Sequence, residues 1–184
     1  MKKRVILLGD SIRRIGYGTK VPELLGENYT VWQPEDNCRF AKYTLRMLWE
    51  QQNALKGADI IHWNNGLWDV NDLFGDGNFT SIEEYTDTML RILKILKTYT
   101  DKIIFATTTP VKPEEPYNDN ETIQRYNKHI AKVLSENGVV INDLYSTVAV
   151  NIEKYICDDN IHLSEAGIEV CSKQVVEAIK AFEA

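Results

Sequence analysis

The chain has 184 residues, 43% of them apolar and 26% charged, with a net charge of −6. That length fits one domain over 1–184, burying roughly 70% of its unfolded surface without a disulfide or metal staple, and the composition excludes a disordered chain. The acidic balance, with no block of five or six like charges, argues against a nucleic-acid binder, whose affinity rests on neutralising phosphates with Lys and Arg.

The run 5–8 reads as a buried strand ended by Gly9-Asp10-Ser11. Residues 22–26 suggest a short helix, and 29–32 a second strand stopped by Pro34. Leu45, Leu48 and Trp49, with Met47 beside them, predict a helix over 41–53. Residues 59–63 form a third strand. The clearest helix covers 81–98: Ser81 is its N-cap, Glu84 completes a capping box, and Met89, Ile92, Leu93 and Leu96 follow at helical spacing. A fourth strand at 103–107, a helix at 121–137 stopped by Asn137-Gly138, a fifth strand at 139–142 and a helix at 164–182 capped by Ser164 complete the chain. Strands that alternate with helices and are apolar throughout indicate a parallel sheet covered on both faces. The expected fold is therefore α/β: a three-layer α/β/α flavodoxin-like domain with a five-stranded parallel sheet. In such folds the loops after the strand C-termini build the site, so the long irregular stretches 66–80 and 110–120 should border it.

Cys38, Cys157 and Cys171 show no C-x-x-C and no metal-ligand spacing, and three scattered histidines offer no metal cluster. The sparse cysteines suit a reduced, intracellular protein. The apolar run 5–8 is too short for a signal h-region, and nothing approaches the roughly 18 apolar residues of a membrane span. The expectation is a cytoplasmic protein with no metal. A homo-oligomer stays open.

The strand ends carry the chemistry. Gly9-Asp10-Ser11 follows the first strand, Asn64-Asn65-Gly66-Leu67-Trp68-Asp69 the third, and Asp158-Asp159-Asn160-Ile161-His162 precedes the last helix. A serine hydroxyl, amides and a carboxylate–imidazole pair are the parts of a serine hydrolase. An imidazole can take the serine proton, a carboxylate can fix its tautomer, and amide or backbone N–H donors can hold the oxyanion. Each piece has a plainer reading: Ser11 as a helix cap, Asp159 and His162 as a solvated loop, Asn64 and Asn65 as turn residues. Their joint placement favours the catalytic one.

The chain resembles the SGNH, or GDSL, hydrolase family over nearly its whole length. Ile6-Leu7-Leu8-Gly9-Asp10-Ser11-Ile12-Arg13 matches the first family block, and Asp159-Asn160-Ile161-His162-Leu163-Ser164-Glu165-Ala166-Gly167 the last. The resemblance implies Ser11 as nucleophile, His162 as base, Asp159 as its orienting partner, and the same three-layer fold. Two blocks depart from the family pattern. The second lacks its glycine and reads Pro34-Glu35-Asp36-Asn37-Cys38-Arg39-Phe40, so the oxyanion N–H falls to Cys38 or Arg39, beside that of Ser11. In the third, one alignment puts Trp68 where the family has asparagine. Another lets Asn64 supply the amide, with Asn65 in reserve.

His62 reads as a core histidine, His129 as a surface one, and Cys38 as a packing residue rather than a nucleophile. Arg39 either holds a hydroxyl-rich or anionic substrate or forms a surface ion pair, and Arg13 and Arg14 pose the same choice. Trp63, Trp68, Phe74 and Phe79 either wall a substrate pocket or anchor the loop. Asp10, Arg39, Asn65 and Trp68 are the candidate substrate-binding residues. The leading reading is a serine esterase acting on a small ester, with an O-acetylated sugar as the favoured partner and no cofactor. The alternatives are a silent domain of the same fold that binds a small molecule or carbohydrate, and a nucleotide or flavin binder. The last lacks a phosphate cradle: neither G-x-G-x-x-G nor G-x-x-x-x-G-K-[ST] is present.

Overall fold

The computed structural model describes residues 2–183. Five parallel strands form one sheet: β1 (Lys3–Leu8), β2 (Tyr29–Trp32), β3 (Ile60–Trp63), β4 (Ile103–Ala106) and β5 (Val140–Asn142), in the order β2-β1-β3-β4-β5. β3 and β4 are buried along their full length, and β1 is buried from Val5 onward, because helices cover both faces. The strong apolar runs of the sequence are these central strands. Helices α2 (Ala41–Glu50), α3 (Ile82–Leu96) and α4 (Asn120–Glu136) pack in series; α7 (Glu165–Lys180) packs with α1 (Val21–Leu25), α5 (Leu144–Ala149) and α6 (Ile152–Tyr155). Among the described residues no helix is long and apolar enough to cross a membrane.

The caps act where the sequence puts them. Ser81 Oγ accepts the Glu84 N–H at 3.2 Å, and Ser164 Oγ accepts the Gly167 N–H at 3.2 Å. The Glu84 carboxylate, expected to close a capping box, instead pairs with Lys42 on α2. Helix α2 also ends at Glu50 rather than residue 53, and its buried face is Ala41, Thr44, Met47 and Leu48, while Trp49 is 66% exposed. Apolarity alone misplaces this face because Thr44 is buried with its hydroxyl donated to Cys38 O at 2.8 Å. Helices α5 and α6 are absent from the sequence reading. At six and four residues they are too short for periodicity to show, although Asp143 and Asn151 cap them through Ser146 N–H and Lys154 N–H.

His62 is a core histidine. It is fully buried, Asn142 Nδ2 lies 3.2 Å from Nε2, and burial lowers its pKa to about 3. The imidazole is therefore neutral.

Candidate active site

The sheet order changes direction between β1 and β3, and ligands of open α/β sheets bind at such a switch point. Leu8 lies opposite Trp63, so Gly9-Asp10-Ser11 and Asn64-Asn65 leave the sheet side by side. Only glycine fits at position 9, since a Cβ there would sit 2.0 Å from Asn64 Oδ1.

Ser11 then opens a π-helical turn, Ile12–Gly16, to which its side chain makes no capping bond. Its Oγ lies 2.8 Å from His162 Nε2 instead. His162 comes from the loop between α6 and α7, where a bridge between Ile156 and Leu163 closes a tight turn with Asn160 at φ +69°. That turn folds the D-x-x-H spacing onto itself: Asp159 Oδ2 lies 2.6 Å from His162 Nδ1. The other oxygen, Oδ1, accepts from Ile161 N–H (3.0 Å), His162 N–H (2.9 Å) and the Cys157 thiol (3.0 Å). Burial pushes the Asp159 carboxyl up, but these hydrogen bonds outweigh it and hold the group well below the usual carboxylate range. Lys112 N–H, on the loop after β4, donates to Asn160 O at 2.9 Å and fixes the turn from outside.

Asp10, expected to contact substrate, is 1% exposed. Its Oδ1 accepts the Ile12 N–H at 2.9 Å, and it receives the Asn64 amide. Burial raises its pKa, partly offset by those bonds and by the Arg13 charge. Asp10 shapes the serine turn from inside.

The expected oxyanion donors fare unevenly. Among the described residues no acceptor stands on the Ser11 N–H. The Cys38 N–H is spent on Gly9 O at 3.1 Å. Arg39 has φ +48°, the left-handed backbone that favours glycine. Its N–H donates to Asn37 Oδ1 at 2.7 Å. Asn64 is buried, gives its amide to Asp10 and accepts from Tyr17 Oη at 2.6 Å. Asn65 is also buried, donating to Arg39 O at 2.8 Å and accepting from Trp63 Nε1 at 2.7 Å. Asn65 thus ties the third-block loop to the second rather than facing solvent.

Trp68 is 38% exposed on the turn Gly66–Asp69, closed by Asp69 N–H to Gly66 O at 2.9 Å. Trp63 is a core residue packed edge-on against Phe105, whereas Phe74 and Phe79 are exposed. The Arg39 guanidinium lies 4.5 Å from the Tyr43 ring centroid and 3.9 Å from Asp36, a surface pairing. Arg14 caps Glu35 O. Cys38 is buried with Sγ between Gly9 N–H and Met47, which is the packing role. A groove of ≈ 700 Å³ runs between the loops after β3 and β4, lined among others by Asp72, Leu73, Lys112, Tyr117 and Asn118. Among the described residues no three His, Cys, Asp or Glu side chains gather as a metal site.

Arg13 is the residue whose role the sequence hid. Although charged, it is 1% exposed, and its guanidinium donates to Gly9 O (3.0 Å), Pro34 O (2.9 Å), Asp36 O (2.9 Å) and Gln33 Oε1 (3.3 Å). It therefore binds the serine turn to the second-block loop. The available signal was its position, two residues after Ser11, but a lone Arg carries no sign of burial.

Asp69 holds the far end of that loop. It is buried, its carboxylate accepts the Ala41 N–H at the start of α2 at 3.0 Å, and burial raises its pKa to about 7, against opposing bonds from Ala41 and Thr80. A carboxyl raised in the folded state stabilises the fold at low pH; that contribution is lost as pH rises from the ordinary carboxylate range through about 7. Asp69→Asn keeps an acceptor and removes the ionisation. Its melting temperature relative to wild type is therefore expected to be higher at pH 8 than at pH 4, as thermal melts at the two pH values would check.

No curated protein matches the chain. Solved structures with the same fold include the lipase/acylhydrolase from Enterococcus faecalis (TM-score 0.79, 20% identity, covering 98% of this chain and 96% of that one). An acetylxylan esterase from Geobacillus stearothermophilus has TM-score 0.78 and 17% identity, covering 96% and 94%. A second acetyl xylan esterase has TM-score 0.79 and 20% identity, covering 96% and 99%. The sequence model of the GDSL-like lipase/acylhydrolase family matches residues 7–170. With that match running from β1 into α7, the chain belongs to the GDSL-like lipase/acylhydrolase family.

Proposed function

We propose that the protein is a serine esterase that removes a small acyl group, with an O-acetyl group on a sugar as the favoured substrate. The observation that carries this reading is the continuous line from Ser11 Oγ to His162 Nε2 (2.8 Å) and from His162 Nδ1 to Asp159 Oδ2 (2.6 Å). Ser11 Oγ attacks the ester carbonyl as its proton passes to His162 Nε2. The Asp159 carboxylate keeps the other imidazole proton on Nδ1 and stabilises the imidazolium. The tetrahedral oxyanion forms against the Ser11 N–H and, once Asn37 Oδ1 yields its place, the Arg39 N–H. His162 then protonates the departing alcohol. Water attacks the acyl-serine with the same base, releasing the acid and restoring Ser11.

The acetylxylan esterases among the fold neighbours favour a small acyl group on a hydroxyl-rich alcohol. Kinetics on p-nitrophenyl acetate, butyrate and octanoate test this: kcat/KM falls from acetate to octanoate, and equal turnover of all three refutes a small-acyl site. A second reading is favoured by the engaged Cys38, Arg39 and Asn64 donors: a site short of oxyanion stabilisation that binds without turnover. It predicts that wild type is no faster than Ser11→Ala on any ester or acetylated sugar.

A further inference from the structure

The thiol of Cys157 has no part in the mechanism above, yet it donates to Asp159 Oδ1 at 3.0 Å, on the carboxylate whose other oxygen holds His162. Cys38 and Cys171 are buried elsewhere in the fold, so this is a specific contact and not a cysteine cluster. Its geometry is set by the same turn that builds the D-x-x-H pair: the Cys157 N–H donates to His162 O at 2.8 Å, and its carbonyl accepts the Asn160 N–H at 3.1 Å. The backbone of residue 157 is thus fixed relative to both acid and base.

We infer that Cys157 is a positioning residue of the triad, whose thiol proton sets how strongly Asp159 holds the His162 imidazolium; this rests on the esterase reading. Two backbone N–H groups already anchor Oδ1, so the thiol is not needed to keep the carboxylate in place. A third donor instead draws negative charge toward Oδ1 and away from the oxygen facing the imidazole. The thiol is a donor at working pH because burial, followed by the adjacent carboxylate, raises its pKa. Removing the donor leaves Asp159 a stronger acceptor, and a stronger acceptor favours the protonated ring. The other charged groups at this turn are Asp10 across the serine, whose field couples to His162, Lys112, paired with Glu153 at 3.6 Å, and the exposed Asp158. Cys157→Ala alters none of them.

The test is the pH profile of kcat/KM on p-nitrophenyl acetate for wild type, Cys157→Ala, Cys157→Ser and Ser11→Ala, with a thermal melt of each. In Cys157→Ala the acidic limb, where the base is lost to protonation, moves to higher pH by roughly half a unit, about threefold in rate on the slope. Cys157→Ser, which keeps a donor, returns the limb to the wild-type position. A role in stability alone would lower the melting point without moving the limb. Coincident limbs for wild type and Cys157→Ala, in an enzyme far more active than Ser11→Ala, overturn this inference and leave the esterase reading intact. A limb moved equally by both cysteine variants also overturns it. Wild type no faster than Ser11→Ala overturns the esterase reading and this inference with it.

Discussion

His162→Ala and Ser11→Ala each lower kcat/KM for p-nitrophenyl acetate on the order of 10³–10⁶-fold, with little change in melting temperature. The size follows from the geometry. Among the described residues Ser11 Oγ has one base within reach, His162 Nε2 at 2.8 Å, and a serine hydroxyl without a base is a weak nucleophile. Because nucleophile and base act as a unit, the double variant should be no slower than either single one, which kinetics on all three would check. The fold tolerates both changes. The His162 side chain is partly exposed on a loop held by backbone bonds from Cys157 and Asn160, and the Ser11 hydroxyl caps no helix. Asp159→Asn should cost about 10⁴-fold, because an amide has one acceptor oxygen: with that oxygen held by the Ile161 and His162 N–H groups, its Nδ2 donor faces His162 Nδ1 and forces the wrong tautomer.

The second large effect falls on stability. Arg13→Ala removes a buried cation that donates to four oxygens, and leaves the buried Asp10 carboxylate without the charge beside it. Stripping one partner from such an arrangement costs about 3–5 kcal/mol, which in a domain of this size lowers the melting temperature by roughly 6–20 °C. Arg13→Lys should fall between, because an ammonium cannot match the planar fork that reaches Gly9, Pro34 and Asp36 together. A melt of Arg13→Ala within 2 or 3 °C of wild type, on the scale of a surface substitution, would refute the brace. Activity should fall further than stability explains, since Gly9 and the second-block loop carry the serine turn and the Arg39 N–H.

The strands, the long helices and the placement of serine, amide and D-x-x-H were legible because each rests on a local pattern. Apolar runs make buried strands, and Ser81 and Ser164 cap the helices they precede. What stayed hidden is set by long-range contact. No local pattern says that Arg13 folds inward to carbonyls more than twenty residues away, or that Asp10 faces Asn64 rather than substrate. The proposed oxyanion donors were the least readable part. Cys38, Arg39, Asn64 and Asn65 all lie at the site, but their donors are assigned by how the loops cross, and the crossing spends Cys38 on Gly9 and Asn65 on Arg39. The left-handed backbone at Arg39 has no trace in a sequence that lacks glycine there.

The most direct measurement of the central claim is the intact mass of the protein after reaction with a fluorophosphonate, followed by peptide mapping. The account predicts one phosphonyl group per chain, placed on Ser11, and none in Ser11→Ala or His162→Ala. No label on the wild-type chain, or a label that persists in Ser11→Ala, would contradict it.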